Sequence, residues 1–195
     1  MQFNKFYQEK FYFFTTYINE QMIKNVVKFK NIAIIYNNKY IDNENNFLNI
    51  KNFCKSNNIK FFILDNLKLA IKHKLDGIIL SHNNKRIYLN VNNYKKNFKI
   101  IGKAHSQNEF SFKIKQNCTA IFLSPIFQNL KYNSSKILSI NKFNQISKDW
   151  KTNIYALGGI NFENIKKVRM TKAKGIGFMS LILNHKIKKP VLFLQ

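Results

Sequence analysis

Short apolar runs recur along this chain, and each closes on small or polar residues before a Lys- and Asn-rich spacer. Eight of them have strand length: residues 11–17, 32–37, 60–66, 76–81, 99–105, 120–127, 153–159 and 175–182. They are nearly continuous in Ile, Phe and Leu rather than alternating, which predicts strands buried on both faces, as in a parallel sheet. The spacers carry helical spacing. Met22, Val26 and Phe29 share a stripe within 18–29, Phe47, Ile50, Phe53 and Cys54 share one within 46–57, and Phe162, Ile165 and Val168 share one within 161–170. Segment 83–97 is Asn-rich without a clear period, and the tail 185–195, interrupted by Pro190, is too short for a full eighth helix.

Strand and helix alternating in this way predict an α/β fold, a (βα)8 TIM barrel with short helices, as a single domain over 1–195 with no linker or break in composition. Barrels of this kind usually need about 250 residues, so loops and helices must be lean. Their βα loops converge at the C-terminal ends of the strands. A site is therefore expected where the runs between 100 and 182 end in Gly, Ser, Pro, His and Asn.

Composition adjusts this picture in three places. The 19 Phe residues must supply much of the core. The net charge of +24 suggests nucleic acid, but all of the 33 basic residues except Arg86 and Arg169 are lysine, spread evenly among Asn, Ile, Phe and Tyr. Nucleic-acid readers lean on arginine for bidentate contacts, so AT-rich coding explains the charge better, and no nucleic-acid partner is expected. The lysines still favour phosphorylated ligands in any cleft. Cys54 and Cys118 make no disulfide framework and read as buried thiols. The first residues lack a signal-peptide core, and no run approaches the roughly 18 apolar residues of a membrane span. A cytoplasmic protein without a membrane partner is expected.

Five segments, in order, resemble the thiamine phosphate synthase family and its relative, the thiazole tautomerase. Leu123-Ser124-Pro125-Ile126-Phe127 resembles the family's SPIF segment, and Ala156-Leu157-Gly158-Gly159-Ile160 its ALGGI segment. Gly102 with Ala104-His105-Ser106 is similar to G-V-S-A-H-S, Asp76-Gly77-Ile78-Ile79-Leu80 to DGVHL, and Met179-Ser180-Leu181-Ile182 to I-S-A-I. The resemblance implies a transferase of thiamine biosynthesis. It would join hydroxymethylpyrimidine diphosphate to thiazole phosphate with release of pyrophosphate, use Mg²⁺ and take small phosphorylated heterocycles as partners, and it is compatible with a homo-oligomer. The alternatives are a tautomerase-like isomerase and a non-catalytic barrel that binds a phosphorylated ligand.

Carried over residue by residue, the resemblance makes Asp65 and Asn84 the metal positions, with Asn84 standing where the family has a second aspartate. Lys39 is the retained cation of the segment that begins at Ile35, where Asn37 replaces the family's arginine. Lys103 stands at the serine of G-V-S, and Ser124, Asn129 and Lys131 belong to or follow the SPIF segment. Gly158, Gly159, Met179 and Ser180 match the thiazole-phosphate positions, and His105 and Lys39 are the implied catalytic residues. The residues alone leave other roles open. On their own, Asp65 reads more readily as a helix N-cap and His105 as a satisfied strand-end residue, and the two glycines can serve a tight turn.

Overall fold

β1 (Phe11–Thr15) pairs in parallel with β2 (Ile32–Tyr36) on one side and with β8 (Gly175–Phe178) on the other, which closes the sheet. Between them β3 (Lys60–Leu64), β4 (Gly77–Leu80), β5 (Lys99–Ala104), β6 (Ala120–Leu123) and β7 (Asn153–Leu157) follow in sequence order to complete an eight-stranded parallel barrel. The structure is a computed structural model and describes residues 11–38, 43–88, 95–128, 137–148 and 150–183.

Helices α1 (Glu20–Val26), α2 (Glu44–Ser56), α3 (Leu67–Lys72), α4 (Gln107–Lys115) and α5 (Ser139–Ser147) cover the outside. Their starts follow from capping chemistry. The side chains of Asn19, Asn43, Asn66 and Ser106 each accept a bond from the backbone N–H three residues on. Their ends use asparagine again. With six glycines in the whole chain, left-handed backbone after α1, α2 and α4 falls to Asn31, Asn58 and Asn117, whose φ values run from 52° to 57°, and after α3 to Lys74 at 54°. Asparagine tolerates that region better than other non-glycine residues.

Two hydrophobic layers result. Outward-facing strand residues such as Phe13, Ile34 and Ile121 pack with the expected helical stripes, including Met22, Val26, Phe47, Ile50 and Cys54. Inward-facing residues from seven strands form a separate cluster dominated by Tyr12, Phe14, Phe62, Phe122 and Tyr155. Their rings meet at centroid distances of 4.9 Å for Tyr12–Tyr155 and 5.1 Å for Tyr12–Phe122. Gly177 gives these rings room. A Cβ there would stand 2.9 Å from both Leu157 and Phe14, so large and small positions interlock to fill the barrel.

The strands stop earlier than the apolar runs. β6 ends at Leu123 and β8 at Phe178, yet Ile126, Leu181 and Ile182 remain buried beyond them. Ile126 belongs to a loop that folds back over the core, and Leu181 and Ile182 to a 3-10 turn at Leu181–Leu183. Segment 161–170 also differs from its expected form: it contains a 3-10 helix at Ile165–Met170. Only residues 158–174 separate β7 from β8, and a 3-10 segment rises about 2.0 Å per residue against about 1.5 Å for an α-helix, so it spans more distance with fewer residues. Ile165 and Val168 still face the core. The described parts of 81–98 contain no helix. No helix among the described residues is long and apolar enough to cross a membrane.

Candidate active site

Side chains alternate across a strand, so a residue two positions beyond an interior one continues to face the barrel axis. Asn37 follows Ile35 in this way, as do Lys103 after Ile101, Ser124 after Phe122 and Met179 after Gly177, whereas Gly159 is brought to the mouth by the left-handed turn after β7. These five, with Gly158 and Ser180, line a cavity of about 450 Å³ at the C-terminal ends of the strands. Phe14, Leu157 and Phe178 supply its apolar wall. The Lys103 ammonium stands 5.5 Å from the Phe14 ring centroid, close enough for a cation–π attraction. Lys39, Asn129 and Lys131 lie outside the described residues.

One side of the cavity is backbone. Gly158 and Gly159 have φ of 90° and 72°, a region that L side chains enter at a cost. A Cβ on Gly159 would stand 2.3 Å from the Phe127 carbonyl oxygen. The loop after β6 is stitched to this turn, because the N–H groups of Ile126 and Phe127 donate to the carbonyls of Leu157 and Gly158 at 3.0 and 3.2 Å. The Asn164 amide donates to the Gly159 carbonyl at 2.7 Å. A glycine turn held from both sides can bring backbone dipoles close to a phosphate without a side chain intervening.

His105 stands beside the cavity. Its Nδ1 lies 2.7 Å from the Ser124 carbonyl oxygen and 3.1 Å from Ser124 Oγ. A carbonyl only accepts, so Nδ1 carries a hydrogen, and in the neutral ring the lone pair lies on Nε2. The His105 N–H donates to Glu109 Oε2 at 2.7 Å, while the Glu109 N–H donates to Ser106 Oγ at 3.3 Å. This close relative of a capping box fixes the start of α4 and the histidine with it. His82 packs edge-on against His105 with centroids 4.6 Å apart. Burial, and then the neighbouring His105, pushes His82 below the usual histidine value of 6.5. The sequence alone did not single out His82; its signal was only a second histidine just after β4.

Asp65 occupies the opposite parity. It comes one residue after the inward Leu64 and turns off the strand with φ 50°, its N–H donating to the Ile79 carbonyl at 2.8 Å. Its Oδ1 accepts the Ser81 N–H at 2.9 Å and the Asn84 amide nitrogen at 2.7 Å. The N-cap of α3 is Asn66, so Asp65 ties β3 to the loop after β4 instead. Asn84 Oδ1 accepts the Arg86 N–H at 2.9 Å. Reversing the amide would set its NH₂ against that N–H, so the network fixes its orientation. Asn84 therefore offers Asp65 a donor, whereas a Mg²⁺ ion needs oxygen ligands. Among the described residues no group of three or more His, Cys, Asp or Glu could hold a metal ion. As arranged, Asn84 presents nitrogen rather than oxygen to Asp65, so the pair makes no two-oxygen Mg²⁺ site, while Asp65 Oδ2 is buried and accepts no hydrogen bond among the described residues.

Both thiols are buried and free. Burial pushes the Cys118 thiol up to about 12 and Cys54 higher still, so neither supplies a nucleophile at neutral pH.

A closed eight-stranded parallel barrel whose cavity opens at the C-terminal ends of the strands defines a TIM barrel as the class. The comparisons carry this further. Residues 19–182 match the family model described as thiamine monophosphate synthase, and the chain belongs to that family. It is 32% identical to the thiamine-phosphate synthase of Flavobacterium psychrophilum over 140 residues, covering 68% of each protein. It is 29% identical to the thiamine-phosphate synthase of Prochlorococcus marinus strain AS9601 over 146 residues, covering 73% of this chain but 40% of that protein's length. The chain thus spans well under half of the curated Prochlorococcus relatives it matches. In fold it is similar to thiamine phosphate pyrophosphorylase from Pyrococcus furiosus, with a TM-score of 0.74 at 19% identity, covering 93% of this chain and 91% of that one.

Proposed function

We propose that the chain acts as a thiamine-phosphate synthase, a transferase that joins hydroxymethylpyrimidine diphosphate to thiazole phosphate and releases pyrophosphate. The observation that carries the reading is the cavity of about 450 Å³ that gathers Asn37, Lys103, Ser124, Gly158, Gly159 and Ser180 at one rim, inside the span of the family match. In this reading the Gly158-Gly159 turn and Ser180 hold the thiazole phosphate. The bond between the pyrimidine methylene carbon and the diphosphate breaks, the diphosphate leaves with the electron pair, and the thiazole supplies the pair that closes the new bond. In this reading Lys103, a cavity-lining cation, balances the departing charge, and the Phe14 ring walls the cationic carbon from water. Lys39, Asn129 and Lys131, outside the described residues, are assigned to the diphosphate side. Single-domain organisation and a cytoplasmic location belong to the same reading.

The test is pyrophosphate release from the two substrates together and from each alone. Release that requires both is the expected result; a well-folded sample that releases none defeats the reading.

The His105 geometry favours a second reading, a tautomerase-like isomerase that moves a proton through Nε2. It predicts that His105→Ala abolishes isomerisation of a thiazole carboxylate phosphate, and it fails if that variant matches the wild type.

A further inference from the structure

Lys113 lies on the core-facing side of α4 beside Phe110, and its side chain is fully buried. Its stem runs against Gly102, where an added Cβ would meet Lys113 Cγ at 2.8 Å and Cβ at 2.9 Å. The position is therefore built for a long unbranched chain over a bare strand. Its Nζ donates to the Ser81 carbonyl at 2.7 Å, the Asn84 carbonyl at 2.9 Å and Gln116 Oε1 at 2.9 Å. These acceptors match the three protons of an ammonium. Gln116 then turns its Nε2 to the carbonyls of Asn84 and Arg86 at 3.0 and 2.6 Å. Lys85 completes the fastening from outside, with Nζ 4.6 Å from the Phe112 ring centroid.

The loop from Ser81 to Arg86 is thus held by its carbonyls from below. Its donors, the Ser81 N–H and the Asn84 amide, are left aimed at Asp65 Oδ1. We propose that Lys113 is the cation that organises this corner of the mouth: it positions the Ser81–Arg86 loop so that Asp65 is held by fixed N–H donors, and the corner assembles without a divalent metal. The inference rests on the synthase reading for the importance of the corner, since that resemblance expects Mg²⁺ at Asp65 and Asn84. Lys113 is a positioning residue here and acts through the loop. Burial draws its ammonium below the usual lysine value, with Asp65 among the groups that oppose the drop. His82, inside the same loop, reaches His105, and His105 reaches Ser124 on the cavity wall. A loop displaced at Lys113 would therefore be felt at the cavity.

The experiment uses the full chain with no substrate, so it stands apart from whether the synthase reaction occurs. Hydrogen exchange of residues 81–86 is followed in wild type and Lys113→Met, each with millimolar MgCl₂ or EDTA, and the wild type is titrated with MgCl₂ by calorimetry. Methionine keeps the unbranched shape along Gly102. The expected result is exchange roughly tenfold faster in the variant, unaltered by Mg²⁺, and no saturable Mg²⁺ binding by the wild type. Saturable Mg²⁺ binding to the wild type overturns the proposal, as does a K113M loop that exchanges as slowly as the wild-type loop. If K113M does not fold, the wild-type titration and the Mg²⁺ response of wild-type exchange decide alone.

Discussion

His105 Nδ1 and the carbonyl oxygen of Ser124 lie 2.7 Å apart, joining the end of β5 to the end of β6. The bond orients the imidazole and makes it part of the mouth's frame. His105→Ala breaks the link and leaves a part-buried carbonyl to find another donor, at a cost of about 1 kcal/mol. His105→Asn retains an N–H near the Nδ1 position and should cost less. Urea denaturation of the three proteins checks the ranking.

Gly159→Ala should be far more damaging than its size suggests. The backbone is left-handed there and the new Cβ meets the carbonyls of Phe127 and Gln128 at 2.3 and 2.6 Å. Strain of about 1–3 kcal/mol is expected. Because the turn lines the cavity, calorimetric binding of thiazole phosphate should weaken more than global stability falls.

Asn84→Asp places a second carboxylate where Asp65 now receives an amide donor. Like charges at that distance should destabilise the protein by roughly 1–3 kcal/mol in EDTA. Two carboxylates are a better Mg²⁺ site than a carboxylate and an amide nitrogen. Mg²⁺ should therefore raise the melting temperature of N84D while leaving that of the wild type unchanged.

Stability should fall with pH in the histidine range. Burial first, and then His105, lowers His82 below 6.5; burial, and then Lys51 and Lys72, lowers His73. The folded state therefore holds fewer protons than the unfolded state as pH drops through 6.5, and stability is lost on the acid side. Melting temperatures measured from about pH 7.5 to about pH 5.5 should decline, and His82→Gln should flatten the decline.

The barrel was legible because eight apolar runs buried on both faces admit few other arrangements. What was not legible lies at the run ends. Ile126 and Leu181 look like strand but pack from a loop and from a 3-10 turn, and periodicity does not register where a ladder stops. The 3-10 segment at Ile165–Met170 keeps the apolar spacing of an α-helix, so spacing could not separate the two. The mouth positions near Lys103, Ser124 and Gly159 were readable as a set from the resemblance. The hydrogen-bond polarity of Asn84 was not, since an amide carries both donor and acceptor and only its neighbours decide which end faces Asp65. Lys113 was missed because one lysine among so many reads as surface charge. Its signal was the helical spacing from Phe110, three residues earlier on the buried side of α4.

Asn37, Lys103 and Ser124 take their direction from the pleat, each two steps past an inward neighbour. Inserting or deleting one residue within a strand would swing its rim group onto the helix side, whereas lengthening a loop beyond the rim would leave the group in place. Natural variation at this mouth should therefore accumulate as substitutions and loop-length changes, with strand lengths conserved in parity.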